Sequence, residues 1–290
     1  MNVAALSGKA GRNLVLLAAV IFFGTPLVWL LLAPTKTYAD LLSSAPLSFG
    51  SFSNVVDAWN HIVEYKGGII FRWIGNSLVY TVLGSALPVL LAIPAGYGLA
   101  IFRFRGRNTV LFLTLIMMIV PSAALILPLY LELSAMHLTN TIWSVILPSL
   151  FYPFGVYLIY MFAANTIPDS IIEAARLDGA SEIRILLSIF LPLARPAIVM
   201  VFFFAFVGAW NSFFLPYIML TGFDLANLQT GLAFMVTDTG ALTGINFGVN
   251  DVKAPEIALA SIVSVLPILV IFIFAQKYLV AGQTTAAEKG

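Results

Sequence analysis

Few residues in this chain could do acid–base, nucleophilic or metal chemistry. Its 290 residues include 13 acidic side chains, 14 basic side chains, two histidines and no cysteine. His61 and His137 have no metal-ligand spacing around them, so we expect surface or loop-packing roles for both. The sequence also lacks a G-x-x-x-x-G-K-S/T loop for binding a nucleotide. We therefore expect no catalytic residue, no metal site and no cofactor in this chain.

Charge is concentrated instead in one stretch, IPDSIIEAARLDGASEIRILLSIFLP, at residues 167–192. Ser170 and Glu173 have the S-x-x-E spacing of a capping box, which satisfies free N–H groups at a helix start. A D-G pair that ends at Gly179 is typical of a left-handed helix end. The pattern predicts a helix of about two turns over residues 171–177.

The predicted helix has the surface of a docking element. Ala174 and Ala175 carry little side-chain bulk, so a partner could approach closely between the flanking charges. A second helix is expected from Ser181, with an apolar face packed against the rest of the protein, formed by Ile183, Leu186, Leu187 and Phe190. Pro192 and Pro196 should end it. An ordinary amphipathic helix on the membrane surface is an equally good interpretation of the first helix.

The elements that must position this stretch are membrane-spanning helices. The chain is 61% hydrophobic and 9% charged, with a mean hydropathy of +1.01, unlike a soluble domain. A spanning helix needs about 20 largely uncharged residues. Six windows without any charged residue qualify: 14–33, 74–98, 109–130, 142–162, 197–220 and 257–275. We predict an all-α membrane protein with six transmembrane helices, although the first window also resembles a signal-peptide core.

Basic residues predict the orientation of the spans. Ten of the 14 lie on one side: Lys9, Arg12, Arg103, Arg105, Arg107, Arg176, Arg184, Arg195, Lys277 and Lys289. Because Lys and Arg favour cytoplasmic loops, both termini are predicted to be cytoplasmic. Residues 163–196, between spans four and five, are then cytoplasmic, and residues 34–73 and 221–256 form long outer segments. The arginines at 103–107 follow a span directly, which indicates a membrane anchor and no binding of nucleic acid.

Polar and helix-breaking residues within the windows indicate a bundle with a polar interior. Every window contains at least one proline. Polar side chains in the bilayer face protein or a water-filled path. The candidates for a translocation path are Asn76, Trp210, Asn211 and Ser212. Hydrogen bonding between helices is the alternative role for each of them.

The source of energy for transport is suggested by exclusion. Ion-coupled carriers commonly place carboxylates at membrane depth, whereas Glu132 and Glu256 lie at the edges of the windows. No charged ring or carbonyl filter motif of an ion channel is present. We expect the energy to come from another subunit. An ion-coupled secondary transporter and a protein that only anchors a complex remain alternatives.

The charged stretch resembles a family motif. Its sequence EAARLDGASEIRILLSIFLP resembles the EAA loop of binding-protein-dependent ABC importer permeases. That loop has the pattern E-A-A, then G, then I-x-L-P. The matching residues here are Glu173, Ala174, Ala175, Gly179, Ile189, Leu191 and Pro192. Five further segments are similar to the carbohydrate-uptake, maltose-permease-like branch of this family: WIGNSLVYT, AGYGLAIFRFRGR, LTNTIWSVILP, AWNSFFLPYIML and QKYLVAG. These matches cover most of residues 70–282. The tail TTAAEKG departs from the glycine-rich ending of that branch.

The resemblance implies a role for the predicted helix and a set of partners. The helix would be a coupling helix in a cleft of a cytoplasmic ATPase, formed by Glu173, Ala174, Ala175, Arg176, Asp178, Gly179 and Ala180. The implied partners are a second homologous permease subunit, two ATP-binding subunits that hydrolyse ATP, and an extracytoplasmic solute-binding protein. The outer segments are candidates for docking that binding protein.

The resemblance also implies a function and an organisation. We expect a permease subunit of an ATP-driven ABC importer in the cytoplasmic membrane, in contact with lipid, that moves a sugar or oligosaccharide by alternating access. Amino acids, glycerophosphodiesters or anions are alternative solutes. The expected regions are an anchor span with an extracytoplasmic loop (1–73), the permease core (74–282) and a cytoplasmic tail (283–290).

Overall fold

The computed structural model describes residues 3–239 and 252–287, with side chains over residues 11–239 and 252–277. Every regular element in these residues is a helix, which confirms the all-α prediction. The helices are α1 (Val3–Leu32), α2 (Tyr38–Ser43), α3 (Phe52–Glu64), α4 (Ile69–Ile101), α5 (Arg107–Ile119), α6 (Ser122–Ala135), α7 (Trp143–Ser149), α8 (Pro153–Thr166), α9 (Asp169–Leu177), α10 (Glu182–Ile185), α11 (Leu191–Leu193), α12 (Arg195–Trp210), α13 (Phe214–Met219), α14 (Leu228–Thr239) and α15 (Ala254–Ala287).

The chain divides into two compact units. Unit 1 is formed within Met1–Phe71 and Gly231–Leu266, and unit 2 within Arg72–Thr230 and Pro267–Gly290. Residues 240–251 of the predicted outer segment and residues 288–290 of the predicted tail lie outside the described residues.

Four helical segments are long and apolar enough to cross a bilayer: Gly11–Thr35, Ile69–Ile101, Trp143–Thr166 and Ala254–Lys277. They contain the first, second and sixth predicted windows, and all of the fourth except residue 142. Two bent pairs qualify only if each pair is counted as one span: α5 with α6, bent by 102°, and Glu182–Leu193 with α12, bent by 80°. The part of the chain that the structure describes therefore has four to six candidate membrane helices, as expected for a multi-pass membrane protein.

The third, fourth and fifth predicted windows are each divided between two helices, and prolines explain the breaks in the third and the fifth. Between α5 and α6, Val120 and Pro121 are extended, because a proline disfavours helical backbone in the residue before it. The fifth window breaks between α12 and α13. There Pro216 has no N–H to give to the Ser212 carbonyl four residues earlier. That carbonyl accepts from the Asn227 side-chain amide instead, at 2.6 Å.

Unit 1 contains a buried lysine that fixes the chain after α1. Lys36 is only 2% exposed, and its ammonium donates to the carbonyl oxygens of Ala45 at 2.7 Å and Pro46 at 3.2 Å. The Asn54 amide donates to the Thr35 carbonyl at 2.8 Å. The carbonyl oxygens thus provide the hydrogen bonds that the Lys36 ammonium loses when it is buried away from water.

A second polar cluster in unit 1 joins residues that are far apart in sequence. Lys66 pairs with Asp238 at 2.8 Å, and the hydrogen bond from Lys66 holds the pKa of Asp238 below its usual value. Tyr65 also donates to Asp238, and burial together with this carboxylate raises the pKa of Tyr65. His61 Nδ1 lies 3.0 Å from a carboxylate oxygen of Glu256, so the two residues form a polar contact within unit 1.

Unit 2 is centred on close helix contacts that depend on glycine. A Cβ at Gly96 would lie 2.7 Å from the Ile159 side chain and 2.8 Å from the Val156 carbonyl oxygen, so α4 and α8 nearly touch there. A Cβ at Gly84 would lie 3.5 Å from that of Ala209 on α12. Around these contacts, α4, α8, α9 and α12 share one apolar core that includes Ile159, Ile172, Ile185, Phe190 and Val201.

We predict that Gly96→Ala destabilises the protein by about 1–3 kcal/mol, because the added methyl overlaps the α8 backbone and Ile159. Gly98→Ala is the matched control two residues along the same helix, where a Cβ would come no closer than 3.7 Å to the Phe102 ring, an ordinary van der Waals contact. Its expected effect is neutral or slightly stabilising, since alanine favours helix. Thermal unfolding of both purified variants measures the difference, and equal melting temperatures would contradict the close contact.

Candidate functional site

The charged stretch forms a short helix, α9, in unit 2. It covers Asp169–Leu177, so it ends where predicted but begins two residues earlier. The predicted capping box is wrong, because the N-cap residue is Pro168, which makes no side-chain cap, and Ser170 lies inside the first turn. The physical reason is that Pro168 already has the extended backbone (ψ 135°) of an N-cap. Asp169 then places a negative charge at the helix start.

The predicted left-handed end of α9 is confirmed. Gly179 has φ +78°, and its N–H donates to the Arg176 carbonyl at 3.0 Å. The Ala180 N–H donates to the Ala175 carbonyl, also at 3.0 Å. These two bonds form a Schellman motif, which satisfies the last carbonyls and redirects the chain sharply.

The segment after α9 differs from the predicted second helix. Helix α10 begins at Glu182, next to the predicted start at Ser181, and the Ser181 side chain caps it by accepting from the Arg184 N–H. A π-helical turn over Leu186–Phe190 follows and shifts the helical register. The predicted face is therefore only partly right, because Phe190 is buried but Ile183 and Leu187 are exposed. Ile185, which lies off the predicted face, is buried in their place.

Pro192 does not end this segment. It lies inside the continuous helical segment Glu182–Leu193, just after the π-helical turn. The chain turns two residues later, at Ala194, before α12 begins at Arg195. Pro196 lies in the first turn of α12 and so begins that helix.

Helix α9 has one buried side and one exposed side. Ile172 and Ala175 are buried in the core of unit 2. Among the predicted coupling residues, Glu173, Ala174, Arg176, Asp178 and Gly179 are exposed, and Ala180 is partly buried. Leu177 is 89% exposed at the end of the helix, an unusual position for so large an apolar side chain. The exposed side thus combines small, charged and apolar groups that could meet a partner.

A carboxylate beside α9 receives two hydrogen bonds. The Arg176 guanidinium donates from Nε to Glu182 at 2.7 Å, and this bond raises the pKa of Arg176. The hydroxyl of Tyr97, near the end of α4, donates to the other Glu182 oxygen at 3.1 Å. Neither Tyr97 nor Glu182 was among the predicted site residues, since nothing in the sequence relates two positions so far apart.

The start of α4 holds the chain that follows α13, and the predicted path residue Asn76 takes part. Its side-chain amide donates to the Asp224 carbonyl at 2.8 Å and to the Ala226 carbonyl at 2.9 Å. Three further side chains of α4 bond to backbone between 223 and 228: Trp73 and Tyr80 donate to carbonyls, and Ser77 accepts an N–H. Arg72 also pairs with the Asp224 side chain.

The other three path candidates are neighbours at the end of α12. Trp210 is buried and stacks on Phe206, with ring centroids 6.3 Å apart. Ser212 accepts the Asn227 amide through its carbonyl. Asn211 caps α12, and its side chain is exposed, with no hydrogen-bond partner among the residues whose side chains are described.

Comparison with known proteins identifies the family. Residues 89–284 match the model of the family "binding-protein-dependent transport system inner membrane component". This match covers α9 and most of unit 2. The chain belongs to this family. It is therefore a permease, and its relatives include proteins named as permease proteins of transport or uptake systems.

Two relatives from different bacteria illustrate the similarity. The arabinooligosaccharides transport system permease protein of Halalkalibacterium halodurans is 32% identical over 267 residues, which cover 91% of each chain. The diacetylchitobiose uptake system permease protein of Streptomyces coelicolor is 30% identical over 257 residues, which cover 87% of this chain and 80% of the relative.

A solved structure supports the permease fold. A chain in the crystal structure of a bacterial ABC transporter involved in the import of the acidic polysaccharide alginate superposes with a TM-score of 0.80. The alignment covers 96% of this permease and 98% of the other chain, at 19% sequence identity. The two chains therefore share a fold.

The contacts of Asn76 and Asn211 predict that substitution by leucine affects mainly stability at the first residue and mainly transport at the second. Asn76→Leu should destabilise the permease by about 1–3 kcal/mol, because two backbone carbonyls lose their donor. Asn211→Leu should change stability by no more than about 0.5 kcal/mol, yet alter the transport rate or solute preference. Thermal unfolding and solute uptake are measured for both variants. Equal destabilisation by the two would identify Asn211 as an interhelical contact instead.

Proposed function

We propose that this permease moves a sugar or oligosaccharide into the cytoplasm as one subunit of an ATP-driven ABC importer. Support for the solute class comes from the relatives, which are named for arabinooligosaccharides, diacetylchitobiose and lactose. The 13% aromatic content and the charge-free predicted spans also suit a neutral sugar better than an anion.

The proposed assembly contains partners that this chain needs. A second homologous permease completes the translocation path, two ATP-binding subunits hydrolyse ATP, and an extracytoplasmic solute-binding protein delivers the solute. The permease lies in the cytoplasmic membrane with six spans and both termini inside. Its regions are the anchor span with outer loop (1–73), the core (74–282) and the tail (283–290). The unequal distribution of basic residues supports this orientation.

The observation that carries the proposal is the exposed side of α9. We propose that this side, with Leu177 at its end, docks into an ATP-binding subunit and transmits its movement. A nine-residue helix is marginal alone, but the buried Ile172 and Ala175 attach α9 to the core that α4, α8 and α12 share. A push on α9 therefore reaches the helices that surround the path.

The proposed path is formed near the outer end of α12. Asn211 is the residue we expect to contact the solute, because its amide is exposed and has no partner among the described side chains. Ser212 lies next to it. The contacts of Asn76 and Trp210 favour a role in shaping the path over direct contact with the solute.

Gly179→Val should uncouple transport from ATP hydrolysis. Valine opposes the left-handed backbone at this turn by about 1–2 kcal/mol and would re-aim α9. Abundance in the membrane should stay normal, whereas ATP-dependent uptake of a labelled oligosaccharide should fall severalfold or the ATP-binding subunits should be lost on purification. The same uptake assay tests the proposed solute class: unlabelled amino acids should not compete with uptake of the oligosaccharide by the wild-type complex.

Gly106→Val is the matched control for this experiment. Gly106 is also left-handed (φ +91°), has open space around it and lies in another predicted cytoplasmic turn. It should carry similar strain yet retain most of the uptake. Normal, ATP-coupled uptake by Gly179→Val at normal abundance would rule out a coupling role for α9 and favour a surface helix.

The orientation is tested by thiol labelling, since the chain has no cysteine of its own. Asn60→Cys on α3 and Ser170→Cys on α9 introduce thiols at two exposed positions. An impermeant maleimide added to intact cells should label the first variant only, and both should react after the membrane is permeabilised. Labelling of Ser170→Cys in intact cells would reverse the proposed topology.

A further inference from the structure

Glu182 joins α9 to the end of α4 through its two carboxylate oxygens. One oxygen accepts from Arg176 of α9 at 2.7 Å, and the other accepts from Tyr97 of α4 at 3.1 Å. The residue itself is the first of α10. Three separate helices therefore meet at one carboxylate.

The Tyr97 side of this junction is rigid. Tyr97 is 3% exposed, and its ring packs edge-on against Phe190 at 4.9 Å and against Phe102 at 5.8 Å. Because the ring is fixed by this packing, the hydroxyl has a fixed position. The backbone of Glu182 is fixed as well, since Ser181 caps the helix that it begins. The direction of the carboxylate is thus set by α4 and α10.

The Arg176 side of the junction is half exposed, with 40% of its side chain accessible to solvent. Ion pairs at such positions contribute little to folding stability. This pair instead restrains the orientation of α9, whose other attachments are two buried side chains and the tight turn at Gly179. Loss of the pair would leave α9 folded but freer to rotate about its axis.

We infer that Glu182 is a positioning residue that links the movement of α9 to α4 through Arg176 and Tyr97. This inference rests on the proposed coupling function of α9. The core transmits a push on α9 through apolar contacts, which have no preferred direction, whereas the hydrogen bonds of the carboxylate bridge are directional. The bridge makes α4 turn together with α9, so that ATP hydrolysis is matched to solute movement.

The test removes the bridge without changing the packing. Tyr97→Phe removes one hydroxyl and keeps the ring, and Glu182→Gln keeps the shape of the side chain but removes its charge. Tyr152→Phe is the matched control, because Tyr152 packs against the same core and its hydroxyl has no hydrogen-bond partner among the described residues. Each variant is purified with its partner subunits and reconstituted into vesicles. The ATP hydrolysed per solute imported is then measured.

Tyr97→Phe and Glu182→Gln should each raise the ATP consumed per solute severalfold, at normal abundance and normal retention of the ATP-binding subunits. The double variant should be no worse than the single variants, because both remove one connection. Tyr152→Phe should behave as the wild type. A wild-type ratio in both bridge variants, or lowered abundance as their only defect, would overturn the inference. If Gly179→Val raises the ATP consumed per solute in the same assay while the bridge variants do not, only this inference fails. If Gly179→Val also keeps the wild-type ratio, the proposed function of α9 fails.

Discussion

The close approach of α4 to its neighbours is the contact on which the rest of unit 2 depends. At Gly96 a single methyl group would overlap α8, and at Gly84 an added methyl group would already be in van der Waals contact with Ser149 and Ala209. Membrane helices associate through close packing and hydrogen bonds, because lipid provides no hydrophobic force between them. This close packing of α4 against α8 and α12 brings polar side chains at both ends of α4 within bonding distance of their partners. Asn76 reaches the backbone of residues 223–228, and Tyr97 reaches Glu182.

Irregular backbone within the apolar part of the chain follows a second constraint. A carbonyl without a donor is costly away from water, so each break must find a side-chain partner. Asn227 supplies one for Ser212, and Asn76 supplies two for the chain after α13. Asn140 accepts the Thr221 N–H through its side chain and donates its own N–H to the Met219 carbonyl. Asparagines thus provide hydrogen-bond partners for the non-helical backbone on either side of α13.

Helix α9 combines a secure attachment with an exposed working surface. Its Schellman end and two buried side chains hold the helix, while Leu177 and the small residues remain accessible. Under the proposed function, such a helix is well suited to transmit force from an ATP-binding subunit, because its buried side attaches it to the core of unit 2. In the inferred mechanism, the Glu182 bridge sets the direction in which this force reaches α4.

Local sequence patterns were enough to predict the all-helical class, the family, the apolar segments and the end of α9. Hydropathy and the conformational freedom of Gly179 act over a few residues, so the sequence determined them by itself. It did not reveal the breaks at Pro121 and Pro216, because proline can also sit in a kinked but continuous helix. Nor did it reveal the π turn at Leu186–Phe190, or that Ile185 would be buried and Leu187 exposed. The contacts of Asn76 with Asp224, and of Tyr97 with Glu182, were decided only by the tertiary structure. They join residues that are 148 and 85 positions apart, and only the packing of α4 against its neighbours brings these donors and acceptors within bonding distance.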